Sequence, residues 1–187
     1  HTCNVTLRWY RDIDYYQEDD GWRGSRDLAG GVFTNQAVHY LDMMQWLIGA
    51  PAQTVYSKMD TCVYPVDVET HGSAIIKFGN GVIGSLDLTT LNYFEDTEGS
   101  ITILGEKGTV KIGGKSMNQV LEWNFQESIP DDEKVFDSCF NPPTVYGFGH
   151  QEFYDRVARF LLNGEGENGI INGPEGRKSV ELLEALY

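Results

Sequence analysis

Six short strand-like runs between residues 54 and 125 constrain the fold more than any other feature of the sequence. The runs span residues 54–59, 70–78, 82–91, 100–104, 109–112 and 120–125. Glycine-rich segments at residues 79–81 and 105–108 separate neighbouring runs in the manner of hairpin turns. Since hairpins pair consecutive strands in opposite directions, the sequence predicts a mainly antiparallel sheet.

Other elements flank these strands. Apolar and polar residues alternate over residues 5–10, which predicts an opening strand with one buried face. Residues 12–27 lack periodicity and predict a long loop. Helical spacing of apolar residues predicts helices over residues 31–48, 151–162 and 180–186. The expected fold class is α+β: an open, mainly antiparallel sheet of about six or more strands, with helices on one face.

The chain has the size of a single domain. Its 187 residues, 41% of them apolar, are enough for one buried core and few for two complete domains. We therefore expect residues 1–187 to form one domain. Helices on one face leave the other face of the sheet uncovered, and such a face is a common oligomer surface. A homodimer or homotetramer through the sheet face is the expected assembly.

Charge and cysteine content narrow the class of protein. The formal net charge of −14 repels nucleic acids and anionic membrane surfaces, so neither is an expected partner. No apolar run is long enough to predict a membrane span. Cys3, Cys62 and Cys139 lack any CxxC spacing, which argues against a disulfide framework and against a zinc site. A cytoplasmic protein without a metal is expected.

A GxGxxG pattern at residues 164–169 formally matches a dinucleotide-binding fingerprint. That fingerprint works between a strand and the start of a helix, where free amide groups face a pyrophosphate. Here the pattern follows a predicted helix and contains two acidic residues. We therefore interpret it as a flexible loop.

The start of the predicted helix over residues 31–48 carries the side chains best suited to chemistry. In a helix Asn35 and His39 lie one turn apart, and Asp42 continues the same stripe. A histidine moves protons near neutral pH, an amide holds a substrate hydroxyl, and Asp42 is placed to fix the imidazole tautomer. Gly30 and Gly31 would let a ligand or a neighbouring backbone approach free amide groups. The same pattern also fits an ordinary amphipathic helix with solvated polar residues.

Several short tags, in order along the chain, resemble a known family. They are Trp9-Tyr10-Arg11, Tyr15-Tyr16, Trp22-Arg23-Gly24, Gly30-Gly31, Trp46-Leu47-Ile48-Gly49-Ala50-Pro51, Phe78-Gly79-Asn80-Gly81, Ile103-Leu104-Gly105-Glu106-Lys107-Gly108 and Gly173-Pro174-Glu175-Gly176-Arg177-Lys178-Ser179. The order resembles the C-terminal, dihydrodipicolinate-reductase-like domain of the glucose-fructose oxidoreductase, inositol dehydrogenase and rhizopine-catabolism (Gfo/Idh/MocA) family. The resemblance covers nearly the whole chain. It implies NAD or NADP bound mainly by an N-terminal Rossmann domain that residues 1–187 lack, and a fragment that is inactive alone.

One departure from the broader family narrows the resemblance. The family usually has Asp one turn before the His, whereas this sequence has Asn35 and Gln36 before His39. That variant is similar to the UDP-N-acetylglucosaminuronate 3-dehydrogenases of O-antigen (lipopolysaccharide) biosynthesis. It implies His39 and Asn35 as catalytic candidates, with His39 or a lysine of the missing domain handling the proton. Gln36 is implied as a substrate contact, and Gly31 is the candidate for cofactor contact.

The aromatic and basic segment before that helix fits the same branch. Tyr16 and Trp22 offer faces for a sugar or uracil ring, and Arg11 and Arg23 suit a pyrophosphate or carboxylate. Alternatively, these arginines pair with acidic residues of their own loop, where such pairs contribute little. His150 is either a second pocket residue or a helix-entry residue.

Two other functions remain open at this point. One is a dehydrogenase of a free sugar or inositol. The other is a non-catalytic ligand-sensing or assembly module of the same fold. The resemblance of the Asn35-Gln36 variant to the nucleotide-sugar branch favours a nucleotide-sugar substrate over both.

Overall fold

In the computed structural model, which describes residues 1–114, 117–144, 146–164 and 170–187, the strands form a single open sheet. The seven strands of the described residues lie in the order β2-β3-β4-β1-β5-β6-β7. They are β1 (Thr2–Arg8), β2 (Ala52–Asp60), β3 (His71–Phe78), β4 (Ile83–Thr89), β5 (Glu98–Leu104), β6 (Gly108–Gly113) and β7 (Gln119–Phe125). The predicted strands are therefore confirmed, including the opening one.

The centre of the sheet holds its parallel pair. β1 runs parallel to β4, in register from Thr2 beside Ile83 to Arg8 beside Thr89. The other neighbouring strands pair antiparallel, including the predicted hairpins β3–β4 and β5–β6. Because β1 and β4 point the same way, the segments that follow them leave the sheet at the same edge.

The predicted helices are present, but the last one begins at Gly173 instead of residue 180, and two further corrections follow. They are α1 (Ile13–Gln17), a 3₁₀ segment (Asp19–Gly24), a π-turn (Val32–Gln36), α2 (Val38–Ile48), α3 (Asp132–Val135), a 3₁₀ turn (Phe136–Ser138), α4 (Gly149–Asn163) and α5 (Gly173–Leu186). The predicted loop over residues 12–27 is wrong, because Asp12 accepts a hydrogen bond from the Tyr15 amide and caps α1. The helix predicted from residue 31 begins as the π-turn, and α2 itself ends at Gly49 with φ of 67°.

The core lies between the sheet and the pair α2 and α5. Leu7 of β1, Leu41 and Met44 of α2 and Leu186 of α5 are all at most 1% exposed. On the opposite sheet face Tyr56 is 73% exposed. Helices therefore cover one face of the sheet, as predicted. None of the helices in the described parts of the chain is both long and apolar enough to cross a bilayer.

A buried carboxylate fixes the start of the π-turn. Glu69, which is 7% exposed, accepts a hydrogen bond from the Phe33 amide (3.0 Å) at Oε1 and from the Val32 amide (3.0 Å) at its backbone oxygen. The Tyr187 hydroxyl donates to the same Oε1 (2.6 Å). A helix start exposes amide groups that need partners, so Glu69 satisfies them and ties the last helix to the same point.

We predict that Gly31→Ala destabilises the fold. A Cβ atom at Gly31 would lie 2.3 Å from both the backbone oxygen and Cδ of Glu69. Since these atoms are held by hydrogen bonds, relief requires moving the start of the helix, at a cost of about 2–3 kcal/mol. The measurement is the free energy of unfolding in urea.

Gly149→Ala serves as the matched control for this substitution, because no atom lies within 4 Å of a Cβ at Gly149. Its free energy of unfolding should change by less than about 0.5 kcal/mol. Equal stabilities for the Gly31→Ala variant and the wild type would show that Glu69 does not pack tightly against the helix start.

Candidate functional site

Six of the predicted site residues converge where β1 leaves the sheet, and no recorded side-chain contact among the described residues links them to His39 or His150. The six are Arg11, Tyr16, Trp22, Arg23, Asn35 and Gln36. The chain after β1 keeps following the end of β4, because the Trp9 amide donates to the Thr89 oxygen (3.0 Å) and the Arg11 amide to the Thr90 oxygen (2.8 Å). These backbone bonds set the position of the Arg11 side chain relative to the sheet. The residues that follow β4 lie at the same edge.

Arg11 is oriented by an acidic residue from the loop after β4. Its Nη1 donates to Asp96 Oδ1 (2.9 Å), and its guanidinium carbon lies 5.0 Å from the Trp9 ring centroid and 5.3 Å from that of Tyr15. The alternative interpretation of the sequence was a partner within its own loop, and Asp96 is a different partner. Rings on which the guanidinium stacks add cation–π attraction to the ion pair. The Arg11 head group is thus held in a defined direction.

Arg23 approaches the same tyrosine. Its guanidinium carbon lies 5.2 Å from the Tyr15 centroid and 4.8 Å from that of Trp22. Nη1 of Arg23 lies 3.3 Å from Asp19 Oδ2. This contact matches the alternative of pairing within the loop, yet it lacks hydrogen-bond geometry. Within the described residues the buried Nη1 has no hydrogen-bond partner, so its N–H groups are available to an acceptor.

The π-turn meets this aromatic and basic segment through one hydrogen bond. Nε2 of Gln36, a residue only 6% exposed, donates to the Tyr15 hydroxyl (2.9 Å) and lies 3.4 Å from Asn35 Oδ1. The turn is one residue wider than an α-helical turn, since the Ala37 amide donates to the Val32 oxygen (2.8 Å). Asn35 and Gln36 are therefore placed beside the Tyr15 ring that Arg23 covers.

Tyr16 is buried and packs between Tyr15 and the end of β4. It is 4% exposed, its hydroxyl lies 2.8 Å from Thr90 Oγ1, and its ring meets Tyr15 edge-on at 5.1 Å. Burial raises the pKa of Tyr16, and the hydrogen bond with Thr90 partly offsets the rise. The predicted substrate contact of Tyr16 gains no support from this position. Tyr16 packs inward because successive residues of α1 face different sides, and Tyr15 takes the outer one.

His39 lies on the exposed side of α2, in the turn after Asn35. It lines a groove of about 1270 Å³ between α2, the start of β2 and α5, together with Trp46, which is 78% exposed. The predicted polar stripe of this helix is thus open to solvent. The Asp42 carboxylate accepts a hydrogen bond from Ser179 of α5, so the structure gives it a role between helices instead of the predicted role beside the imidazole.

His150 lies apart from this convergence in the contacts that the structure records. It is exposed in the first turn of α4, and its ring meets Tyr146 edge-on at 6.2 Å. That position fits the helix-entry alternative. Its role as a substrate contact stays a prediction.

The cofactor candidates of this chain do not form a dinucleotide cradle in the described residues. Gly31 faces Glu69, so the neighbouring backbone occupies the space that a ligand would need. The sequence predicted that either a ligand or a neighbouring backbone would approach this glycine pair. In the structure it is the neighbouring backbone. Apart from Gly164, the GxGxxG-like segment at residues 164–169 lies outside the described residues. The described residues hold no cluster of three or more side chains suited to a metal ion.

Sequence reasoning missed three residues that shape the site: Asp96, Thr90 and Glu69. Each acts on a residue far away in the chain, with Asp96 reaching Arg11 and Thr90 reaching Tyr16. Periodicity and short motifs report only local neighbours. The pairing of β1 with β4 brings Thr90 to Tyr16, and the pairing of β1 with β5 brings Asp96 to Arg11. No local sequence signal indicates either pairing.

Comparison with known proteins identifies the family. The model of the GFO/IDH/MocA C-terminal domain matches residues 1–111, and the chain belongs to this family. The predicted resemblance is confirmed. A comparison with curated proteins gives no match.

Solved structures give more specific likenesses. The WlbA dehydrogenase from Bordetella pertussis, solved with NADH and UDP-GlcNAcA, is 39% identical with a TM-score of 0.85. The WlbA dehydrogenase from Chromobacterium violaceum, solved with the same ligands, is 41% identical with a TM-score of 0.87. Each is matched over 100% of this chain and 51% of its own, so the chain spans about half their length. Levoglucosan dehydrogenase with NADH, at 17% identity, a TM-score of 0.74 and coverage of 99% and 55%, shares the fold.

We predict that Tyr187 makes stability depend on pH in the alkaline range. Burial, followed by its hydrogen bond to Glu69, raises the Tyr187 pKa from 10.0 to about 12. The folded state then keeps a proton that the unfolded state loses, so this stabilisation is fully present below pH 10 and is lost as pH rises to about 12. Tyr187→Phe should therefore show a shallower loss of unfolding free energy over that range.

The control is Tyr154→Phe on α4, where the side chain is 62% exposed. Its pH dependence should match the wild type in urea unfolding at several pH values. A Tyr187→Phe profile parallel to the wild type would contradict the contact between Tyr187 and Glu69.

Proposed function

We propose that this chain is the substrate-binding and oligomerisation domain of an NAD(P)-dependent oxidoreductase that acts on a UDP-sugar. The reaction is the 3-dehydrogenation of a UDP-N-acetylglucosaminuronate-type substrate. The observation that carries the proposal is the buried Arg23 nitrogen without a hydrogen bond in the described residues, next to Arg11 and the Asn35-Gln36 pair. The two WlbA relatives solved with UDP-GlcNAcA support the choice of substrate.

The two arginines suit the pyrophosphate of such a substrate. Arg11 and Arg23 both lie within cation–π distance of the Tyr15 ring, each beside one carboxylate, in a chain whose net charge is −14. Guanidinium groups bind phosphate oxygens through charge-assisted, often bidentate, hydrogen bonds. An anionic oxygen at Arg23 Nη1 would also supply a hydrogen-bond acceptor in addition to the ion pair with Asp19.

The sugar end of the substrate is assigned to the π-turn and α2. Asn35 presents an amide group that suits hydroxyl, acetamido or carboxylate groups, and the largely buried Gln36 is assigned the same role behind it. His39 accepts the proton of the C3 hydroxyl while the C3–H bond is broken, so the carbinol becomes a carbonyl with loss of a proton and a hydride. When bound, the nicotinamide cofactor supplies the hydride acceptor. Positioning of this kind contributes up to ~7–11 kcal/mol to lowering a barrier.

The cofactor is assigned to a second, Rossmann-type domain of the full-length protein. The relatives are about twice as long as this chain, and the start of the π-turn here is occupied by Glu69. We expect residues 1–187 alone to be inactive. NAD is the form supported by the NADH-bound relatives, and NADP is its alternative.

The uncovered sheet face, the cysteines and the net charge bear on assembly and cellular setting. The sheet face opposite the helices exposes Tyr56 (73%) and Ile75 (55%), which supports a homodimer or homotetramer through that face. The three cysteines are unpaired, which supports a cytoplasmic setting. O-antigen (lipopolysaccharide) biosynthesis is the pathway we propose, and the charge argues against nucleic-acid or membrane partners.

We predict that His39→Ala in the full-length protein lowers kcat for the UDP-sugar at least 100-fold. Loss of a general base removes about 10²–10⁴ in rate. The KM should change less than about threefold, because the exposed His39 imidazole contributes little ground-state binding. The measurement is NADH formation at saturating cofactor. An unchanged kcat would mean that another group takes the proton.

Asn35→Ala, in the π-turn that precedes α2, is the comparison variant. Because an amide positions substrate and takes no proton, it should raise KM and leave more of kcat than His39→Ala does. If Asn35→Ala and His39→Ala gave the same kcat and KM, the division of roles between these two residues would be wrong.

We also predict that Arg23→Ala raises the KM for the UDP-sugar at least tenfold, since charge-assisted bonds to the pyrophosphate are lost. Arg156→Ala on α4, where the side chain pairs only with Glu152 in the contacts recorded, is the matched control and should behave as wild type. Steady-state kinetics with the UDP-sugar and with the free sugar separate the alternatives. A dehydrogenase of a free sugar or inositol would oxidise the free sugar equally well and would tolerate Arg23→Ala.

A non-catalytic sensing or assembly module would bind the UDP-sugar without forming NADH. Measuring ligand binding and turnover on the same full-length sample distinguishes that module from an enzyme.

A further inference from the structure

The loop after β4 exposes two large aromatic side chains that the proposed function does not use. Tyr93 is 83% exposed and Phe94 is 67% exposed. Their ring centroids lie 5.3 Å apart in an edge-on arrangement, and Tyr93 meets Tyr10 edge-on at 5.9 Å. Adjacent exposed rings form an apolar surface that commonly marks a binding site.

This loop is fastened to the segment that carries Arg11. The Asn92 amide donates to the Trp9 oxygen (3.0 Å), and Asp96 Oδ1 accepts from the Tyr10 amide (2.7 Å) and from Arg11 Nη1 (2.9 Å). The bonds at Asn92 and Asp96 lie on either side of Tyr93 and Phe94. The loop is therefore anchored on both sides of the aromatic pair, which holds the two rings next to Arg11.

The loop also carries its own internal bonds. Asn92 Nδ2 donates to the Glu95 oxygen (2.6 Å) and to Thr97 Oγ1 (3.1 Å). These contacts close the loop over residues 92–97 and hold its outer residues in one arrangement. A pre-arranged aromatic surface loses little conformational entropy when a ligand stacks on it.

We propose that Tyr93 and Phe94, extended by Tyr10, form the stacking surface for the uracil base of the nucleotide sugar. This inference rests on the proposed function. In a nucleoside diphosphate the base and the pyrophosphate are joined through one ribose, so a base-binding surface must lie close to the arginines that hold the phosphates. The hydrogen bonds at Asp96 create that proximity. Aromatic side chains bind bases by stacking on their faces.

The test compares binding of UDP with binding of inorganic pyrophosphate to the full-length protein by titration calorimetry. The double variant Tyr93→Ala/Phe94→Ala should weaken UDP binding at least tenfold and change pyrophosphate binding less than twofold. Arg23→Ala should weaken both ligands. Phe136→Ala removes a ring that is 49% exposed in a different segment and should change neither.

Conservative replacement separates stacking from general damage. Tyr93→Trp/Phe94→Trp keeps two flat rings and should restore UDP binding to within about threefold of wild type. Both positions are exposed, so thermal unfolding of the variants should match the wild type. Equal loss of UDP and pyrophosphate binding in the alanine variant would overturn the assignment to the base.

The outcomes for this inference and for the proposed function are distinct. If the wild type binds UDP but forms no NADH from the UDP-sugar, the proposed reaction is wrong. UDP binding by the alanine variant then still decides whether the stacking surface is correct. If wild type is active and the alanine variant binds UDP normally, the stacking surface is wrong and the function stands. A change in oligomeric state with unchanged UDP binding would assign the rings to a contact between copies. Absence of UDP binding by the wild type would overturn both proposals.

Discussion

The parallel pairing of β1 with β4 is the constraint on which the rest of the site depends. A sheet built only from hairpins would send the segments after β1 and β4 to opposite edges. Parallel strands send them to the same edge, so Tyr16 reaches Thr90. The antiparallel pairing of β1 with β5, which opposes Arg8 to Glu98, brings Asp96 to Arg11 at that same edge. Together with the antiparallel β1–β5 pairing, the parallel pairing inserts the first strand between β4 and β5. One topological choice thus places the arginine, its acidic partner and the neighbouring aromatic residues together.

Two further contacts turn this edge into a defined site. Tyr15 is held by the Gln36 side chain and is covered by Arg11 and Arg23, which joins the basic segment to the π-turn. Glu69 satisfies the amide groups where the π-turn begins and receives the Tyr187 hydroxyl. Each contact links elements far apart in sequence, so the relative positions of the amides and guanidinium groups are set before any ligand binds. Such pre-organisation lowers the entropy cost of binding.

The sequence predicted what depends on local pattern and missed what depends on distant pairing. Alternation and glycine turns located the strands, and Gly49 marked the end of α2. The prediction of a loop over residues 12–27 missed α1. The Asp12 cap of this helix is a local signal, but we gave more weight to the lack of periodicity. The family resemblance pointed to Asn35, Gln36 and the arginines, but it did not show that Tyr16 faces inward or that Asp42 binds Ser179. Those outcomes depend on contacts across the sheet and between helices.

The proposed function places a nucleotide sugar at one edge of this sheet, with its phosphates at the arginines and its sugar at the π-turn. A crystal structure of the full-length protein with NADH and UDP-N-acetylglucosaminuronate tests it most directly. The account predicts phosphate oxygens within hydrogen-bond distance of Arg23 and the C3 hydroxyl within about 3.2 Å of a His39 ring nitrogen. A substrate bound on the uncovered sheet face, or at the edge with its phosphates turned away from Arg11 and Arg23, would contradict it.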